Sequence, residues 1–239
     1  MLMLAPIAGG ADASQGPGAA AAQQGAEALK AGDSAAASAA FARAAQLEPR
    51  EPEHWIKLGL ARAQLKQWDE AVAAYERALS LDPAARTYNN LANIYFRRGN
   101  YDKAAAIYGQ ALALDPDYLL ARFHRGWCLR QLQRAPEAEE AFRLCLEGRP
   151  QSDRERATQV DCRFGLGSMR HRAGDYEASA RAMEQVLAVH PAHPEARYYL
   201  GIAYRQLGRH DEARRQLEIH AQAMRSRHRD PYIEKPPDE

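Results

Sequence analysis

The sequence predicts an all-α chain, an α-solenoid of about six helix-turn-helix units rather than one globular core. Two observations predict this. Pro49, Pro83, Pro116, Pro150 and Pro191 close successive segments, and the intervals between them are 33 or 34 residues except for the last. The same residue classes also recur at the same offsets. A small residue comes first (Gly25, Gly59, Ala92, Gly126, Gly167, Gly201), and twelve residues on comes another (Ala37, Ala71, Ala104, Ala138, Ser179, Ala213). Four further on stands a large apolar residue: Phe41, Tyr75, Tyr108, Phe142, Met183 or Leu217. Self-similarity at this period signifies stacked supersecondary units, each burying its apolar face on its neighbours.

Taken in order, residues 1–17 read as a flexible amino-terminal segment. Met1 to Ile7 is apolar and short, without a basic stretch, and Ala11-Asp12-Ala13 resembles a small-x-small cleavage site. Two readings stand, the remnant of an export signal and a Gly/Ala tail. The array itself runs over 18–227. Its first unit, 18–51, is Ala-rich and thinly apolar, as a solvent-facing cap should be.

The second unit, 52–84, shows the helical spacing most clearly: Trp55, Leu58, Gly59 and Arg62 mark a first helix, and Ala71, Tyr75 and Ala78 a second. Asp69 reads as its N-cap, and Pro83 breaks the chain. The small residues let the two helices approach, with Tyr75 filling the gap towards the next unit. Units 85–118, 119–152, 160–193 and 194–227 repeat the pattern. About seven additional residues, up to position 159, extend a loop or a helix after the fourth. Asp230-Pro231 stops the last helix, and 228–239 reads as a charged tail.

Composition narrows the function classes. A net charge of +1 over 239 residues predicts neither nucleic-acid nor membrane binding, and no apolar run is long enough to span a bilayer. Cys128, Cys145 and Cys162 are odd in number and lie inside helices, so no disulfide framework is expected. Cys145 reads as a reduced, buried thiol, with Cys128 and Cys162 near helix interfaces. The compartment stays open between cytoplasm and periplasm.

The pattern Trp55-x2-Leu58-Gly59-x2-Arg62, Ala71, Tyr75, Ala78, Pro83 resembles the tetratricopeptide repeat, and the match recurs in all six units. Arg62, Leu129 and Arg170 depart from the family's tyrosine, which Tyr95 and Tyr204 keep. The resemblance implies a right-handed superhelix whose first helices line a concave groove. Carried over by position, that groove holds Ile56, Lys57 and Leu60, then Asn89, Asn90, Asn93, Phe96 and Arg97. It continues with Phe123, His124, Trp127 and Arg130, then Phe164, Ser168, His171 and Arg172, and ends with Tyr198, Tyr199 and Arg205.

Aromatic side chains and arginine are the residue types that anchor protein interfaces. The asparagines suit the backbone amides of an extended peptide, and the arginines form a ladder for acidic groups. The plain alternative for each arginine is a solvated helix face, and for Trp127 and Phe123 burial against a neighbouring helix. One subgroup of the family grips acidic carboxy-terminal peptides with a two-carboxylate clamp. That clamp is absent here, because Ile56 and Asn89 stand where lysine is required and His124 replaces an asparagine.

Catalytic signatures are missing: the chain carries no phosphate-binding glycine loop, no G-x-S-x-G and no H-E-x-x-H. His124 and Cys128 have ligand spacing but lack a second pair, so no metal or cofactor is expected. The expected function is a non-enzymatic protein–protein interaction scaffold that binds a peptide or partner helix. The alternative is an accessory factor of a bacterial envelope, secretion or pilus-assembly system.

Overall fold

The computed structural model describes residues 16–229, and all its regular elements there are helical. The expectations for Met1–Ile7 and for the tail from Asp230 onward lie outside the described residues. The helices fall into two compact bodies. Up to Asp115 run α1 (Pro17–Lys30), α2 (Ser34–Leu47), α3 (Pro52–Gln64), α4 (Trp68–Leu81), α5 (Ala85–Arg97) and α6 (Tyr101–Leu114). From Pro116 run α7 (Leu119–Gln131), α8 (Ala135–Glu147), α9 (Asp153–Arg172), α10 (Tyr176–Val189), α11 (Pro194–Gln206) and α12 (His210–Arg229). Each odd-numbered helix packs on the even-numbered one that follows it.

One turn chemistry joins every pair. The first helix ends in a residue with left-handed φ: Gly32, Lys66, Gly99, Gln133, Gly174 or Gly208. The next N–H then reaches back to a carbonyl in the last turn, as Asp33 N to Ala28 O (2.9 Å) and Arg134 N to Leu129 O (2.9 Å). This satisfies carbonyls that the helix end would otherwise leave unpaired. Asp33, Asn100 and Asp175 then cap the second helices, accepting from the N–H groups of Ala36, Lys103 and Ala178. Asp69 is not the N-cap of α4. Gln67 holds that position without a side-chain bond, and Asp69 sits in the first turn, where Arg98 donates to it at 2.6 Å.

The recurring small and large residues meet inside each pair. A Cβ on Gly59 would stand 2.9 Å from the Tyr75 ring, one on Gly25 2.8 Å from Phe41, and one on Gly126 2.8 Å from Phe142. The glycine therefore makes room for its own unit's aromatic ring, and the Phe142 ring also reaches Gly165 of the following unit. Tyr75, Tyr108 and Phe142 are essentially inaccessible.

The extra residues after the fourth unit become helix. α9 has 20 residues against 13 in α7 and α11, and the Ser152 hydroxyl caps it by accepting from Glu155 N. Within α9, the Gln159 amide donates to the Cys145, Leu146 and Gly148 carbonyls at 2.8–3.2 Å, closing the otherwise open end of α8.

Cys145 on α8 and Cys162 on α9 form a disulfide with Cα atoms 6.5 Å apart. This corrects the expectation of a reduced Cys145 and of no disulfide. Both positions face the junction between consecutive units, beside Leu119 and Phe142, and the buried sulfurs meet there. Cys128 alone is a free thiol, fully buried in α7.

Candidate protein-interaction site

In the carboxy-terminal body, α9 lies between α7 and α11, so the three first helices share a face. The sequence places Phe123, His124, Trp127 and Arg130 there from α7, Phe164, His171 and Arg172 from α9, and Tyr198 and Arg205 from α11. The structure gathers the aromatic ones into two ring clusters, one around Tyr199 and one around Phe123. Phe164 stands 5.8 Å from Tyr199 (between ring centroids) and 4.7 Å from His193. His171 stands 5.1 Å from Tyr199, and Tyr198 joins Tyr199 at 5.9 Å. Phe123 and Trp127 meet edge-on at 6.4 Å and lean on the core around Phe142. Trp127 and Phe123 are thus half-buried, while Tyr198 keeps 45% of its surface exposed.

Arg130 links the two halves of this face. Its guanidinium carbon lies 3.4 Å from the centre of the Trp127 ring, a close cation–π stack. Its Nη1 donates to Ser168 Oγ on α9 (3.2 Å), whose own hydroxyl is given to the Gly165 carbonyl (2.7 Å). Its Nε is buried without a partner. Desolvation, and then the neighbouring Arg172, pull its pKa down from the usual guanidinium range. Arg130 is therefore not a solvated rung of a rim ladder.

Burial holds the histidines neutral. His124 is pushed down to about 4 by desolvation and by Arg154, and His171, whose Nδ1 is sealed without a partner, is lowered by desolvation as well. Burial raises the Cys128 thiol to about 12. A neutral thiol beside a desolvated imidazole is poor metal-binding chemistry.

In the amino-terminal body the asparagines do not act as a set. Asn89 is buried, 5% exposed, with Oδ1 unpartnered, so its expected place on an open surface is corrected. The polar amide lies one helical step too far round, against the packed side of α5. Asn93 Oδ1 accepts from the Tyr108 hydroxyl (2.5 Å). Asn90 alone borders open space, a cleft of about 360 Å³ that Ile56, Lys57 and Arg86 also line. Phe96 packs on Tyr101 (5.7 Å), and Arg97 lies over Trp68. The same reading omitted Gln133 and Met169, which border a pocket beside Arg130, because they sit outside the positions the family pattern marks.

Tetratricopeptide-repeat family models match residues 89–153 and 165–223 in one case and 50–117 in another, more than half of the chain. The chain belongs to the tetratricopeptide repeat family. The structure of this repeat protein is similar to a tetratricopeptide repeat protein from Parabacteroides merdae (23% identity, TM-score 0.69), covering 84% of this chain and 77% of that one. It also resembles PilW, a type IV pilus biogenesis factor (20%, TM-score 0.68; 91% and 95%), and Pseudomonas aeruginosa PilF (17%, TM-score 0.69; 83% and 88%). At these identities the likeness is one of fold. A comparison with curated proteins finds no match. Among the described residues of this repeat protein, no helix is long and apolar enough to cross a membrane.

Proposed function

We propose that the chain is a non-enzymatic scaffold that binds a peptide or helix of another protein on the face formed by α7, α9 and α11. The observation that carries this is the half-exposed aromatic row, with Tyr198 open and Trp127 stacked under a guanidinium. Aromatic rings and arginine bury large area for few torsions, which is what an interface anchor requires. The family's members are generally non-catalytic scaffolds, which supports the same reading.

Site-specific photo-crosslinking tests it. A photoreactive phenylalanine at Tyr198 or Arg205 should give a defined protein adduct, while one at Arg143, exposed on α8, should not. Adducts formed only from Arg143 would move the interface to the other face.

The disulfide favours a second reading in part, an accessory factor of a bacterial envelope, secretion or pilus-assembly system. Disulfides persist in oxidising compartments such as the periplasm, and the fold likeness to PilW and PilF is compatible with that setting.

A further inference from the structure

We propose that the α7–α9 junction is a seat for one carboxylate of the bound partner, an acidic side chain gripped between Arg130 and Arg172, so that the docked segment carries a Glu or Asp among apolar residues. The proposal rests on the reading that a peptide lies on this face, and it adds the chemistry that selects the peptide. A pocket of about 330 Å³ opens where the two arginines converge, lined by Arg130, Gln133, Ala135, Met169, Arg172 and Ala173. That is the space of roughly ten waters, enough for a side chain and too little for a folded element. Two guanidinium groups border it, and among the described residues no carboxylate lies within ion-pair distance of either.

The contrast with other arginines on the same helices shows what is unfilled. Arg122 donates to Asp117 and to the Leu144 carbonyl, and Arg170 pairs with Glu139. Arg130 is half-buried, carries five N–H donors, and gives only Nη1 to a protein acceptor, while its Nε is sealed without one. A desolvated cation beside a second cation is unfavourable unless an anion joins them. The family's two-carboxylate clamp uses other positions and is missing here, so this seat is a separate arrangement. Met169, Ala135 and Ala173 add an apolar wall that suits the methylenes of glutamate better than the shorter aspartate. Ser168 accepts from Arg130 Nη1 and gives its own proton to the Gly165 carbonyl, so it has no donor to offer the carboxylate and leaves the other Arg130 N–H groups to it.

The test is selection from a degenerate peptide library by the full chain, read as residue enrichment by position. Wild type should enrich Glu or Asp at one position beside an aromatic or aliphatic one, on the order of tenfold over Gln or Asn. Arg172→Gln, an exposed change, should erase the acidic preference and keep the apolar one. Arg130→Gln should do the same, with an unchanged circular dichroism spectrum confirming its fold. Inorganic phosphate at matched ionic strength should leave the enrichment in place. If it abolishes the enrichment, the pocket serves a free oxyanion and the peptide assignment falls. An apolar preference without an acidic one overturns the seat and leaves the interaction face standing; no enrichment at all overturns both. Acidic enrichment that survives in both variants also overturns the proposal.

Discussion

At the scale of single residues, the turns and the glycine–ring contacts set the costs. Lys66 (φ 58°) and Gln133 (φ 59°) hold a left-handed backbone that glycine fills in the other four turns. Side chains pay for that conformation, so Lys66→Gly and Gln133→Gly should each stabilise by roughly 0.5 kcal/mol after the added unfolded-chain entropy is deducted. Thermal melting would read this as a small rise, and a fall would show that the turn conformation is not limiting. Gly59→Ala should go the other way, by about 1–3 kcal/mol, because its Cβ would press into a fully buried tyrosine ring.

His124 gives a pH prediction at the same scale. Its folded pKa is depressed to about 4 against 6.5 when free. The unfolded chain therefore takes up the proton first on acidification. The stability tied to the neutral imidazole is fully present above pH 6.5 and is lost as the pH falls towards 4. His124→Gln should shrink the difference in melting temperature between pH 7.5 and pH 5; an undiminished difference would assign that acid sensitivity to other groups.

At the scale of elements, the α8–α9 junction is closed by a covalent bond. Cys145 and Cys162 are 17 residues apart, so reduction should cost about 3 kcal/mol on the loop-entropy estimate. In a repeat array stability is carried between neighbours, so hydrogen exchange should rise mainly in α7 to α10. Intact-mass analysis with an alkylating agent, under denaturing and non-reducing conditions, should add one label, and three after reduction. The native protein should add none, because Cys128 is buried and its thiol stays protonated. Three labels without reduction would remove the bond. Trp127→Ala also belongs here. The ring packs on the core beside Phe142, so its loss lowers melting as well as binding, and Tyr198→Ala is the cleaner probe of the interface.

At the scale of the whole molecule, the 33–34-residue period is enough to read the twelve helices, in six pairs, of the described residues. Each pair needs its apolar positions, its small residues and its breaking proline in register, and a linear pattern records all three. The site was legible only in outline. Offsets along a helix put Phe164, His171, Arg172 and Tyr198 on the face that α7, α9 and α11 share, but they do not measure how far round a side chain turns. Asn89 therefore went to the core side, and Arg130 over the Trp127 ring rather than at a charged edge. The disulfide escaped for a related reason. Cys145 stands where other units have Ala44, Ala78, Ala111 and Val186, and Cys162 where they have Ala121 and Ala196, so neither is marked by the linear pattern, and only the packing of α8 on α9 brings the sulfurs together.

Phe142 shows where this chain can be edited and where it cannot. Its ring lies against Gly126 of its own unit and Gly165 of the following one, where a Cβ would come within 2.8 Å on either side. The disulfide ties the same two units. Repeat arrays gain and lose modules by recombination between equivalent segments, and most modules are interchangeable for that purpose. Excising 119–152 or 160–193 would strand one cysteine and leave either the ring or its second glycine without its partner. Excising 52–84 would disturb neither pair. Units four and five are therefore expected to change only as a single block, and an alignment of relatives should place changes in array length outside it.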